Sequence, residues 1–253
     1  MVERWNITFP AEDGEEERSL YVYLPTSYYH SDQRYPVLYM FDGHNVFFDS
    51  DATYGKSWRL GDYLDNTQTQ LIVAAVECSH SSNNGRLREY CPYTFSDPQL
   101  GKIVGTGEAT MEWMKHVLKP MIDERLRTLP DRAHTWIGGS SMGGLMSLYA
   151  LLCHNETFSR AAALSPSLWT SPAKIKAMIK NAKIGPESVL YLDYGEKELS
   201  YRDSMAETLD ASLRLLSKTT ICTTSRIVPG GTHCEASWEK QLPFAIPTLT
   251  YAM

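Results

Sequence analysis

The chain has no surplus of basic charge. Its 253 residues carry 24 lysines and arginines against 30 aspartates and glutamates, a formal net charge of −6. That balance leaves no electrostatic footprint for nucleic acid or an anionic membrane surface. No stretch approaches the roughly 18 consecutive apolar residues of a membrane-spanning helix. The opening MVERWNITFPAEDGEEERS is acidic and polar, whereas a secretory signal is basic and then apolar, so a cytoplasmic protein is expected. Cysteine is sparse and odd in number: the five are unclustered and form no CxxC pair, which argues against a disulfide framework. Internal repeats, low-complexity tracts and linkers are missing as well, and one domain over residues 1–253 is the simplest organisation. Neither a cofactor nor a metal is expected, and a homo-oligomer is compatible with the composition.

What the sequence does have is alternation. Arg4 to Phe9 and Ser19 to Leu24 read as two strands, with the EDGEEE run as their solvated connection. Strand-like runs follow at 36–41, 71–76, 134–137, 161–164, 188–193 and 221–228. Helical patterns lie at 108–126, 145–152, 172–181 and 202–217, with a last helix from about Cys234. In the first of these helices Met111, Met114, Val117, Leu118, Met121 and Ile122 share one face, and Pro120 predicts a kink or break. Residues 77–107 read as loop. The alternation predicts an α/β fold, a mostly parallel sheet with helices on both faces.

The stretch GGSSMGGL, Gly138 to Leu145, falls between a strand and a helix. Glycine permits positive φ and close backbone approach, so the junction should be sharp and crowded. Only Gly139-Ser140-Ser141-Met142-Gly143 fits Gly-x-Ser-x-Gly, the turn that holds a serine hydroxyl clear of the sheet. A glycine-rich turn without chemistry is the plain alternative. A phosphate cradle lacks its Gly-Lys-Ser/Thr ending.

A serine hydroxyl needs a base within hydrogen-bond reach. Where this turn carries chemistry, an acid and then a histidine follow it in the chain. Of seven histidines only His154 and His233 come after Ser141. His154 closes the helix behind the turn, where it suits the dipole. His233, in Pro229-Gly230-Gly231-Thr232-His233 beyond the last strand, can reach back over the strand ends. Near the preceding strand Asp193 lies within the strand, Glu196 and Glu198 just past Gly195, and Asp203 in the next helix. Backbone N–H groups of Met142 and of His44, in the loop Phe41-Asp42-Gly43-His44-Asn45, are the expected donors to a developing oxyanion. The His44 side chain is expected only to line the pocket or cap a turn.

Further segments join these: YMFDGHNVF from Tyr39, YGKSW from Tyr54, GRLREY from Gly85, LKPMID from Leu118, LSPSLW from Leu164 and GEKE from Gly195. With them the chain resembles the esterases of the α/β-hydrolase superfamily related to esterase D, feruloyl esterases and enterochelin-type esterases. The resemblance implies an α/β-hydrolase fold and a serine carboxylesterase that works through an acyl-serine on a small-molecule ester. Spacing in such families points to Glu198 as the acid, although many relatives have aspartate there. Acyl transfer by the same triad and a non-catalytic binding protein are the alternatives. Residues 166–187 leave no length for a large cap, so an open site taking short-acyl or aromatic esters is expected. Trp58, Tyr90, Tyr93, Trp169 and Trp238 are candidates for its walls. The polar Glu77 and Arg86-Leu87-Arg88-Glu89 stretch could anchor an alcohol group or form internal ion pairs.

Overall fold

A computed structural model describes residues 1–11, 14–201 and 204–251. Ten strands are present among them: β1 (Val2–Ala11), β2 (Gly14–Tyr23), β3 (Val37–Met40), β4 (Ile72–Val76), β5 (Phe95–Asp97), β6 (Gly101–Ile103), β7 (Thr135–Ser140), β8 (Arg160–Leu164), β9 (Val189–Gly195) and β10 (Cys222–Val228). Eight form one sheet in the order β1-β2-β4-β3-β7-β8-β9-β10. The β1–β2 and β2–β4 pairs are antiparallel, and every pair from β4 to β10 is parallel. This is the α/β architecture expected from the alternation.

Side chains of a strand point alternately to opposite faces, and the central strands are apolar on both. Val37, Tyr39, Ile137, Leu190 and Leu192 enter one core, where helices Gly107–Trp113, Met142–Cys153, Pro172–Asn181 and Met205–Leu216 pack. Leu38, Met40, Trp136 and Tyr191 enter the other, against helices Leu60–Thr67 and Leu242–Thr250. Burial on both faces is why β3, β4 and β8 read as continuous apolar runs.

Two local expectations are corrected, while the interruption expected near Pro120 is present. The 77–107 region holds a short helix, Gly85–Glu89, and the β5–β6 hairpin. The helix expected over 108–126 is interrupted by a π turn, Met114–Leu118, so that Pro120 falls in the first turn of a new helix, Lys119–Arg125. There the wider π turn, in which Lys119 N–H donates to the Met114 carbonyl, accommodates a residue that has no N–H. The wider turn shifts the helical phase and leaves Val117, expected in the core, 51% exposed. Among the described residues no helix is long and apolar enough to cross a membrane.

Candidate active site

All the strands that matter for the site run parallel, so their carboxyl ends share one edge of the sheet. Residues 41–45 follow β3, Ser141 follows β7, Ser165 follows β8, Glu198 follows β9 and His233 follows β10.

Ser141 alone makes the turn between β7 and its helix. Its φ of 58° and ψ of −120° lie where non-glycine residues are rarely found. The neighbouring glycines do not take the positive φ; they make room. A Cβ on Gly139 would stand 2.9 Å from the Gly143 carbonyl carbon, and one on Gly143 2.9 Å from Phe41 Cβ. The turn is braced from β8: Ser141 N–H donates to the Leu164 carbonyl at 2.9 Å, and Ser167 N–H to the Ser141 carbonyl at 3.0 Å.

Ser141 Oγ lies 2.9 Å from His233 Nε2, and His233 Nδ1 lies 2.6 Å from Glu198 Oε2. A proton on Nδ1 facing the carboxylate leaves Nε2 as the acceptor for the hydroxyl. Glu198 is buried, and its Oε1 accepts from Gly195 N–H at 2.8 Å and from Ser165 Oγ at 2.7 Å. The His233 side chain remains 36% exposed. Its ring meets that of Trp238 edge to face, with centroids 5.0 Å apart.

The other carboxylates are engaged elsewhere. Asp193 Oδ1 accepts from Ser165 N–H and Asp193 Oδ2 from Tyr191 O–H. Burial pushes the Asp193 carboxyl up to about 7. Glu196 is exposed and accepts from Gly230 N–H at 2.8 Å, tying the β9 turn to the His233 loop. Asp203 lies outside the described residues. His154 does close its helix, but burial lowers its pKa, so a cationic partner for the dipole is disfavoured.

The 41–45 loop is pressed against the sheet: a Cβ on Gly43 would stand 2.3 Å from the Ala75 carbonyl oxygen. Asp42 takes φ 57° and is gripped by Arg86, whose Nε and an Nη donate to its two oxygens at 2.7 and 2.8 Å. Burial raises the Asp42 carboxyl, but the charge and hydrogen bonds of Arg86, together with its other neighbours, hold it below its ordinary range. The His44 ring is buried, pairs through Nε2 with Thr53 Oγ1 and has its pKa lowered by burial. Met142 opens the helix, so its N–H has no intrahelical acceptor.

Of the two uses expected of the Glu77 and Arg86–Glu89 stretch, internal pairing is the one seen. Arg86 holds Asp42, the buried Arg18 binds Glu89 and Glu16, and Glu77 accepts from Ser19 N–H. The expected aromatic wall is mostly interior. Tyr90 is 1% exposed; Trp58 is 4% exposed and packs on Trp238.

 The Asp42–Tyr90 contact runs from the Asp42 N–H to the Tyr90 hydroxyl oxygen, at 3.2 Å, so Tyr90 supports the loop from beneath instead of facing a ligand. Trp169 is half-buried and meets Phe95 edge to face, while Tyr93 does the same with Tyr149. A cavity of about 510 Å³ lies elsewhere, between the β1–β2 hairpin and residues 79–89, and holds none of Ser141, His233 or Glu198. In the sequence Ser165 appears only within the LSPSLW segment, with no role of its own. Its place directly after an apolar strand is the available signal, but its φ of 44° and its bond to Glu198 are tertiary facts.

The sequence matches the family model described as "Putative esterase" over residues 12–249. The chain belongs to this esterase family. A curated relative of the esterase, the uncharacterized protein YbbA of Bacillus subtilis, is 24% identical over 191 residues, 74% of this chain and 72% of its own length. Among solved structures, an IroE-like serine hydrolase from Shewanella oneidensis superposes with a TM-score of 0.74 at 21% identity, over 96% of this chain and 79% of that one. A ferulic acid esterase superposes with a TM-score of 0.68 at 16% identity, over 99% of this chain and 98% of that one. At such identities the structural likeness is one of fold. Family and fold together make the protein an ester-hydrolysing enzyme.

Proposed function

We propose that the esterase is a serine carboxylesterase that hydrolyses soluble short-acyl or aromatic esters through an acyl-serine. The observation that carries this reading is the continuous hydrogen-bonded chain Ser141–His233–Glu198. Ser141 Oγ attacks the ester carbonyl carbon while its proton passes to His233 Nε2. Glu198 holds Nδ1–H and offsets the charge of the imidazolium. The carbonyl oxygen becomes anionic and is received by the N–H groups of Met142 and His44. As the tetrahedral intermediate collapses, the C–O bond to the alcohol breaks and His233 returns the proton to the departing oxygen. Water, deprotonated by His233, then attacks the acyl-serine and the same steps release the acid.

The test is Ser141→Ala, which should lower kcat by on the order of 10⁴ to 10⁶ with the fold retained. A fluorophosphonate should add one label to the wild-type protein and none to Ser141→Ala. Ser140→Ala should keep both activity and label. Turnover and labelling that survive in Ser141→Ala but vanish in Ser140→Ala would overturn the assignment.

A further inference from the structure

Behind Glu198 stands a pair of side chains with no assigned role. Ser165 is 2% exposed and sits at φ 44°, a conformation that costs free energy for any residue with a Cβ. Its N–H donates to both the carbonyl and the Oδ1 of Asp193, at 3.0 and 3.1 Å, which holds it there. In that position its Oγ reaches Glu198 Oε1 at 2.7 Å and receives Trp238 Nε1–H at 3.0 Å.

The direction of these bonds is set by chemistry. An indole N–H can only donate, and a hydroxyl has one proton. With Trp238 occupying a lone pair, the Ser165 proton is left for the carboxylate, which as an anion can only accept. The same indole ring leans on the His233 imidazole. One residue therefore touches the base directly and the acid through a single hydroxyl.

We propose that Ser165 and Trp238 are positioning residues, which fix the Glu198 carboxylate in the plane and rotamer that orients His233. The proposal rests on the triad reading above. Gly195 N–H holds the same oxygen, Oε1, so without Ser165 the carboxylate keeps only that one tether besides His233 itself and gains freedom to swing. The loss falls on the chemical steps and not on substrate binding, because neither Ser165 nor Trp238 offers surface to a ligand: both are buried.

The experiment is a double-mutant cycle on the full chain with p-nitrophenyl acetate as the ester. Ser165→Ala should lower kcat roughly 10- to 100-fold, the loss of a hydrogen bond to a charged group, with KM within about twofold. Ser165→Gly should show the same loss, although it relieves the backbone strain that alanine retains. Trp238→Phe keeps the ring beside His233 and removes the N–H, for a loss of roughly 3- to 10-fold. In a Glu198→Gln background the Ser165 substitutions should cost no more than about twofold, and Trp238→Phe should add nothing to Ser165→Ala. Losses that persist undiminished in Glu198→Gln would show a general structural role and overturn the proposal, as would full kcat in Ser165→Gly. Fluorophosphonate labelling of Ser141 separates the two levels: without a label on Ser141 the triad reading fails, whereas with it only the positioning role is at stake.

Discussion

Two buried carboxylates five positions apart, Asp193 and Glu198, differ through their neighbours. Glu198 meets an imidazole, a hydroxyl and a backbone N–H. Among the described residues Asp193 accepts from the neutral donors Ser165 N–H and Tyr191 O–H, with the Arg226 charge a weaker influence. Desolvation by burial dominates and raises the Asp193 carboxyl from 3.8 to about 7, with the nearby Glu198 charge pushing the same way. A carboxyl whose folded pKa lies above its unfolded one favours folding most below the unfolded value. That contribution is lost as pH rises through the folded value, and here the window runs from about 4 to about 7. Asp193→Asn removes the ionisation. Wild type should therefore lose stability relative to Asp193→Asn between pH 5 and pH 8, on the order of a few kcal/mol. Urea midpoints at the two pH values check this, and a difference between the proteins that is the same at both would show that Asp193 stays charged without penalty. At this scale the sequence was partly legible. Chain order singled out His233, and Gly-x-Ser-x-Gly singled out Ser141, because both are local or ordinal signals. Ser165 and the Arg86 grip on Asp42 depend on which loops meet in space, and no spacing encodes that.

Elements were more legible than their irregularities. Strands β3, β4, β8 and β9 are covered on both faces, so hydrophobicity alone marks them. The β5–β6 hairpin, three residues a side, has too little pattern to stand out from loop, and the π turn just before Pro120 changes a helical phase that periodicity assumes constant. The loop after β3 is the element where shape and chemistry meet. Gly43 lies so close to β4 that alanine cannot be accommodated without moving backbone, since the contact is a carbonyl oxygen and not a pliable side-chain tip. Displacing the loop moves the His44 N–H assigned to the proposed oxyanion site. Gly43→Ala should then lower kcat roughly 10²- to 10³-fold, the scale of one lost oxyanion donor. Thermal unfolding and steady-state kinetics on the same preparation check it. A variant with wild-type kcat would remove His44 from the proposed oxyanion site.

At the scale of the molecule, the sheet brings its carboxyl ends to one edge and little is built above them. Between β8 and β9 the chain forms one three-residue turn, Leu168–Thr170, and one helix, Pro172–Asn181. Ile175, Met178 and Ile179 of that helix are buried in the core beneath the sheet edge, so it is a flank of the fold and not a cap. His233 is correspondingly 36% exposed. A site of this kind offers little apolar surface to a long acyl chain, because three of the aromatic candidates for its wall, Trp58, Tyr90 and Trp238, are already committed to the interior. Each methylene of a substrate gains free energy only where protein removes it from water. Activity on p-nitrophenyl esters should therefore peak at short chains, roughly C2 to C6, with kcat/KM flat or falling beyond. The rate should also rise smoothly through the critical micelle concentration, since among the described residues the β8–β9 connection supplies no lid to open at an interface. A series from acetate to palmitate measures both features. A kcat/KM that keeps climbing to C12 or beyond, or a jump in rate at the micelle threshold, would require an apolar acyl tunnel and a moving cover over Ser141.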